Sequence, residues 1–122
     1  MSIESALFER LKAEISLVSN RVYAGIAPQT VSKPYLTTHK LSPGFTYAHD
    51  GRSKLGGPRF QVSVFASTYA SAKAVEAEVI AALEGWKTTK VQGAFVESAQ
   101  DLHEQETGLY HVPIDAFIWH TY

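Results

Sequence analysis

Cysteine is absent from these 122 residues, which excludes a disulfide frame, a thiolate metal site and a cysteine nucleophile. A chain without thiols suits a reducing compartment. An excess of charge is missing too: eleven Lys and Arg stand against twelve Asp and Glu, a formal net charge of −1. Such a balance leaves no electrostatic footprint for general nucleic-acid binding. No apolar run approaches the roughly 18 residues of a membrane-spanning helix. The opening Met1-Ser2-Ile3-Glu4-Ser5 lacks the basic and apolar segments of a secretory signal, so the expectation is a cytoplasmic chain. The glycines form neither G-x-G-x-x-G nor G-x-x-x-x-G-K-[ST], and no serine sits in a G-x-S-x-G elbow. There is no internal repeat and no low-complexity segment. At this length one domain, residues 1–122, buries a core without staples.

What is present centres on residues 56–86. Phe60, Val62, Val64 and Ala66 alternate with Gln61, Ser63 and Phe65, the period of a strand with one strongly apolar face. Phe65 on the other side predicts that the second face is half covered. Ser67 or Thr68 is placed to cap a helix. Ala72, Val75, Val79, Ala82, Leu83 and Trp86 then recur at helical spacing, with Gly85 as the stop. Ala70, Ala74, Ala77 and Ala81 make a second stripe nearly opposite. Alanine fills exposed helix positions because it is the best helix former; small residues also let another backbone approach. The four alanines are therefore the candidate subunit interface, with plain solvent exposure as the alternative.

Before this centre, Ile3, Leu7, Leu11, Ile15 and Val18 predict a helix over 2–18, N-capped by Ser2. Residues 21–23 are a short extended piece and 35–41 a strand, entered at Pro34. The segment 42–58 has four glycines and two prolines and reads as a long flexible loop. Its Tyr47, Arg52 and Lys54 are candidate docking residues, and Arg59 lies at its far end. After the central helix come a strand at 91–99, a polar turn at 100–108 and a long last strand at 109–122. Pro113 removes a ladder donor and predicts an edge or a bulge there. The expected fold class is α+β, order α-β-β-α-β-β: a two-layer, four-stranded mixed or antiparallel sheet with two helices on one face.

Chemistry has few footholds. His49-Asp50 in the long loop offers two adjacent metal ligands without a third, and Asp50-Gly51 equally makes a solvated bend. His103 with Glu104 and Glu106 is a second cluster, at a charged hairpin tip. His39, His111 and His120 fall within strands, without the i, i+4 pairing of a helical metal motif. No catalytic residue, metal site or cofactor is assigned.

Six blocks in register point further. They are residues 21–28 (RVYAGIAP), 33–35 (KPY), 59–64 (RFQVSV), 66–70 (ASTYA), 83–86 (LEGW), and 107–110 (TGLY) running through Trp119-His120. Together, over nearly the whole chain, they resemble the phage and prophage tail-completion family, also described as head–tail joining or tail-terminator-like proteins. The resemblance implies a mixed sheet with helices on one face and a non-catalytic structural role. It implies self-association into a ring of six that caps the tail tube and joins it to the head connector. DNA then passes only as cargo in the channel, and Arg52 and Lys54 pass near its phosphates if the long loop faces inward. Assembly would occur in the host cytoplasm, with the product in the virion tail or neck. No large apolar interface is evident, which leaves room for a monomer in dilute solution. Two other readings stay open: a small metal- or ligand-binding enzyme using His49, Asp50 or the His103 cluster, and a weak nucleic-acid-binding module.

Overall fold

Ser2 opens the first helix as expected: its hydroxyl accepts a hydrogen bond from the Ser5 N–H at 3.1 Å, and α1 (Ile3–Glu14) follows. The computed structural model describes residues 2–28, 30–42, 44–48 and 51–121, with side chains throughout except at 45–48 and 51–55. All five residues of the expected stripe are buried, but the helix itself ends at Glu14. A 3-10 turn, Ser16–Val18, keeps Ile15 and Val18 pointing inward after the α-helical hydrogen bonds stop. Ser19 and Asn20 then take positive φ of 47° and 67° and reverse the chain.

The strands are β1 (Val22–Ala24), β2 (Tyr35–Ser42), β3 (Phe45–Ala48), β4 (Gly51–Gly56) and β5 (Arg59–Ala66). After α2 (Tyr69–Glu84) come β6 (Val91–Ala99), β7 (Leu102–Glu104) and β8 (Leu109–Thr121). They form one sheet with path β1-β2-β5-β8-β4-β3, while β6 and β7 lie along the other edge of β8. Among the described residues only β1 and β2 run parallel. The α+β class stands, with eight strands among the described residues rather than four.

Two differences from the sequence expectation have physical causes. The 42–58 segment is not a loop throughout. It continues the β2/β5 pairing outward as the hairpin β3–β4, in which Phe45 faces Gly56 and Tyr47 faces Arg52. Glycine and proline are concentrated where this arm leaves the body. Gly44 adopts φ +62° and its carbonyl accepts the Gly57 N–H at 2.9 Å. The last strand, for its part, is not an edge. β8 is the centre of the sheet, paired with β5 on one side and with β6 and β7 on the other. Pro113 is tolerated because β6 pairs only as far as Ile114 and β7 begins at His111. The Pro113 carbonyl faces that break and accepts the Gln100 N–H. Its nitrogen, on the same side of the strand, therefore meets a gap in the ladder.

The core is one cluster between sheet and helices. Phe60, Val62, Val64 and Ala66 of β5 and Val112, Ile114, Ala116 and Ile118 of β8 meet Val75, Val79 and Leu83 of α2 and Leu7 and Leu11 of α1. Each large side chain contributes roughly 1.5–3 kcal/mol by its burial. Thr68 caps α2 by accepting the Ser71 N–H, and Gly85 ends it by donating to the Ala81 carbonyl. Arg10 ties the helices together, its Nε and Nη2 donating to the Ala82 carbonyl at 3.2 and 3.0 Å. Among the described residues no helix is long and apolar enough to cross a membrane.

Gly57 lies flat against the indole of Trp119, where an added Cβ would fall 2.6–2.7 Å from the ring. Gly57→Ala should therefore lower stability by about 1–3 kcal/mol in urea denaturation. The loss should shrink in a Trp119→Leu background, and an equal loss in both backgrounds would show that the indole contact is not the cause.

Candidate assembly surfaces

Three surfaces extend from this body. The first is the outer side of α2. Its core stripe is fixed by Ala72, Val75, Val79 and Leu83, so the alternate helical positions Ala70, Ala74, Ala77 and Ala81 are exposed. They form a shallow track of small side chains. At its C-terminal end lies a hollow of about 180 Å3 between the helices, lined by Arg10, Glu14, Glu78, Ala81 and Ala82.

Near the other end of α2 lies a polar cluster that the sequence reading did not single out. Glu76 is 7 % exposed, and its carboxylate accepts from Lys73 Nζ at 2.7 and 3.1 Å. The same ammonium reaches Asp101 at 3.1 Å, whose other oxygen accepts from the Tyr69 hydroxyl at 3.1 Å. The cluster fastens α2 to the link between β6 and β7. Hydrogen bonding to Glu76, then to Asp101, raises the Lys73 pKa, and the Lys73 hydrogen bond lowers that of Asp101. The i, i+3 spacing of Lys73 and Glu76 was legible; the approach of Asp101 was not, because it depends on where β6 ends.

The second surface is the helix-free face of the sheet. Phe65, the residue that broke the polar side of β5, is part of an aromatic row. Tyr35 and Phe65 stack with centroids 4.9 Å apart, Phe65 and His111 stack at 4.3 Å, and Tyr23 meets Tyr35 edge-on at 6.3 Å. Beside the row is a pocket of about 290 Å3 between the 25–27 connector and the Thr37, Gln61 and Ser63 side of the sheet. Arg59, expected with the basic residues of the long loop, is instead committed to acids on this face. Its Nη2 bonds Asp115 at 3.0 Å and its Nε lies 3.1 Å from Glu97. Gln61 Nε2 also donates to Asp115. Phe95 is 60 % exposed on β6, opposite Phe117.

The third surface is the β3–β4 arm. Tyr47 sits on β3, and Arg52 and Lys54 sit on β4, with Tyr47 and Arg52 as cross-strand partners. They belong to one hairpin and are well separated in sequence and topology from the alanine track. His49 and Asp50, the first metal candidate, lie outside the described residues. His103 is exposed, with its ring 4.6 Å from that of Tyr110, and no group of three or more His, Asp or Glu side chains suited to a metal exists among the described residues. His111 and His120 both have their pKa lowered, chiefly by burial.

The sequence matches the family model described as "Tail completion protein gp17" over residues 5–121. No curated protein sequence matches the chain. Among solved structures, a chain in the virion of a native gene transfer agent particle has the same fold, with a TM-score of 0.81. It is 19 % identical, and the match covers 99 % of this chain and 96 % of that one.

The lowered histidine pKa values set a pH dependence. A histidine neutral in the folded state contributes stability that is fully present above its unfolded pKa of 6.5 and is lost as pH falls through its lower folded value. The urea midpoint should fall between pH 7.5 and pH 5. His111→Phe, which keeps a ring against Phe65, should reduce that fall. An unchanged pH profile in the variant would contradict the assignment.

Proposed function

The chain belongs to the family of tail completion protein gp17 and has a structural, tail-completing role, and on that premise we propose how it completes a tail. It acts without catalysis, closing into a ring of six that caps the tail tube and joins it to the head connector. The observation that carries this reading is the family match along residues 5–121, which reaches every element of the fold. A ring needs two different faces on each subunit, related by a rotation that closes. The exposed track Ala70, Ala74, Ala77, Ala81 supplies one shape on which a neighbour's backbone can approach closely. The arm bearing Tyr47, Arg52 and Lys54 supplies a separate docking element.

Charge fits this role. With a formal net charge of −1, the chain suits the wall of a duct through which DNA slides without being held. The subunit is made in the host cytoplasm and ends in the tail or neck of the particle. That location agrees with the virion origin of the chain that shares its fold. In dilute solution the subunit is free to remain monomeric, closing its ring on docking.

Electron microscopy of the purified protein mixed with purified tails tests the reading. Extra density is expected at the head-proximal end of the tail, with sixfold averages. Ala74→Arg combined with Ala77→Arg should remove the sixfold density. Tails with bare ends at saturating protein would contradict the role in joining.

A further inference from the structure

Beyond the faces named above, the sheet leaves one strand half covered. β1 pairs with β2 only at Leu36, Thr37 and Thr38, although β2 runs on to Ser42. Leu36 donates its N–H toward this side, to the Arg21 carbonyl, and the Thr38 carbonyl accepts from Gly25 on the same side. By the two-residue period of a strand, the N–H and C=O of Lys40 point the same way, beyond the end of the ladder. Among the described residues, 39–42 of β2 thus have no paired strand on this side, and Lys40 presents an open backbone edge.

Directly beside this edge is a groove of about 320 Å3 between α1 and the sheet. Phe8, Phe60 and Ala24 make its apolar lining, and Glu4, Glu9 and Lys40 stand around it. Lys40 Nζ and Glu4 meet at 2.9 Å with both side chains partly exposed, a pair weak enough to be exchanged for another. Glu9 makes no ion pair among the described residues, so the rim is acidic on balance. An open strand edge next to an apolar hollow meets both needs of strand addition. The edge offers main-chain hydrogen bonds and the hollow receives a side chain.

The same chain carries a segment that fits. β3 has four residues, as many as the uncovered part of β2, and is the terminal strand of its path, so one of its edges is open as well. It is rich in residues suited to strands, Phe45-Thr46-Tyr47. The arm has two bases, Arg52 and Lys54, against one acid, Asp50, opposite in sign to the groove's rim. Among the described residues, the arm's strand pairing with the body is to β8, at Leu55 and Gly56. We infer that the arm of one copy seats in the α1–β2 groove of the next, β3 extending the neighbour's sheet alongside residues 39–42 of β2. Groove and arm are different surfaces, so the contact is heterologous and propagates around a ring. This inference rests on the ring reading and names one of its contacts.

Charge reversal on each side, read by native mass spectrometry and sedimentation velocity with and without purified tails, tests it. Glu9→Lys or Arg52→Glu alone should weaken self-association by about tenfold or more, with unchanged far-UV circular dichroism. The double variant Glu9→Lys/Arg52→Glu should recover assembly to within about threefold of the parent. Rings that form equally well in both single variants would overturn the arm-in-groove contact while leaving the ring intact. Singles that weaken assembly without recovery in the double variant would likewise overturn it. A monomer under every condition, tails included, would sink the ring reading and this contact with it.

Discussion

Val112, Ile114, Ala116 and Ile118 of β8 are almost wholly buried, flanked by β5 on one side and pressed against the helices above. Most other elements take their position from this row. β5 pairs with eight consecutive residues of β8, from Tyr110 to Phe117, which places Phe60, Val62, Val64 and Ala66 in the same apolar layer. β6 and β7 share the far edge of β8, and α2, which connects β5 to β6, lies over β5, β6 and β8. A slip of one residue between β5 and β8 would turn one of the two apolar rows toward the helix-free face. The register is thus held by burial, and the arm and the outer faces inherit their geometry from it.

Much of this was legible because the period of the apolar residues is unambiguous. The α1 stripe through Val18, the β5 alternation, the α2 stripe and the inward row of β8 are all buried as their spacing requires. Local capping chemistry, at Ser2 and at Ser67 or Thr68, was legible for the same reason: it depends on a few neighbouring residues, and Thr68 is the cap. Long-range partnership was not. Pro113 argued for an edge or a bulge, since a missing N–H needs either solvent or an interrupted ladder. Its actual solution, a gap between two short partner strands, depends on where β6 stops and β7 starts. The arm was hidden by its own hinge, because Gly44, Gly56, Gly57 and Pro58 give the composition of a loop while β3 and β4 are paired strands.

The candidate surfaces divide along the same line. The alanine track needed only helical periodicity, and its four residues are exposed. The aromatic row from Tyr23 to His111 crosses four strands and was announced only by Phe65 standing where a polar residue belonged. Arg59 illustrates the converse. In sequence it joined Arg52 and Lys54 as a basic group, yet Asp115 and Glu97 take its charge once β8 and β6 are in place. A tail-completion subunit made this way has a body stabilised by apolar layers and a periphery of strand edges, small side chains and balanced charge. Such a periphery suits contact with other proteins through shape.

Deleting the chain from a particle-producing host and counting heads, tails and joined particles by electron microscopy tests this account most directly. It predicts filled heads and separate tails that accumulate unjoined, with joining restored when the chain is supplied in trans. Joined, DNA-delivering particles in normal number without the chain would contradict it.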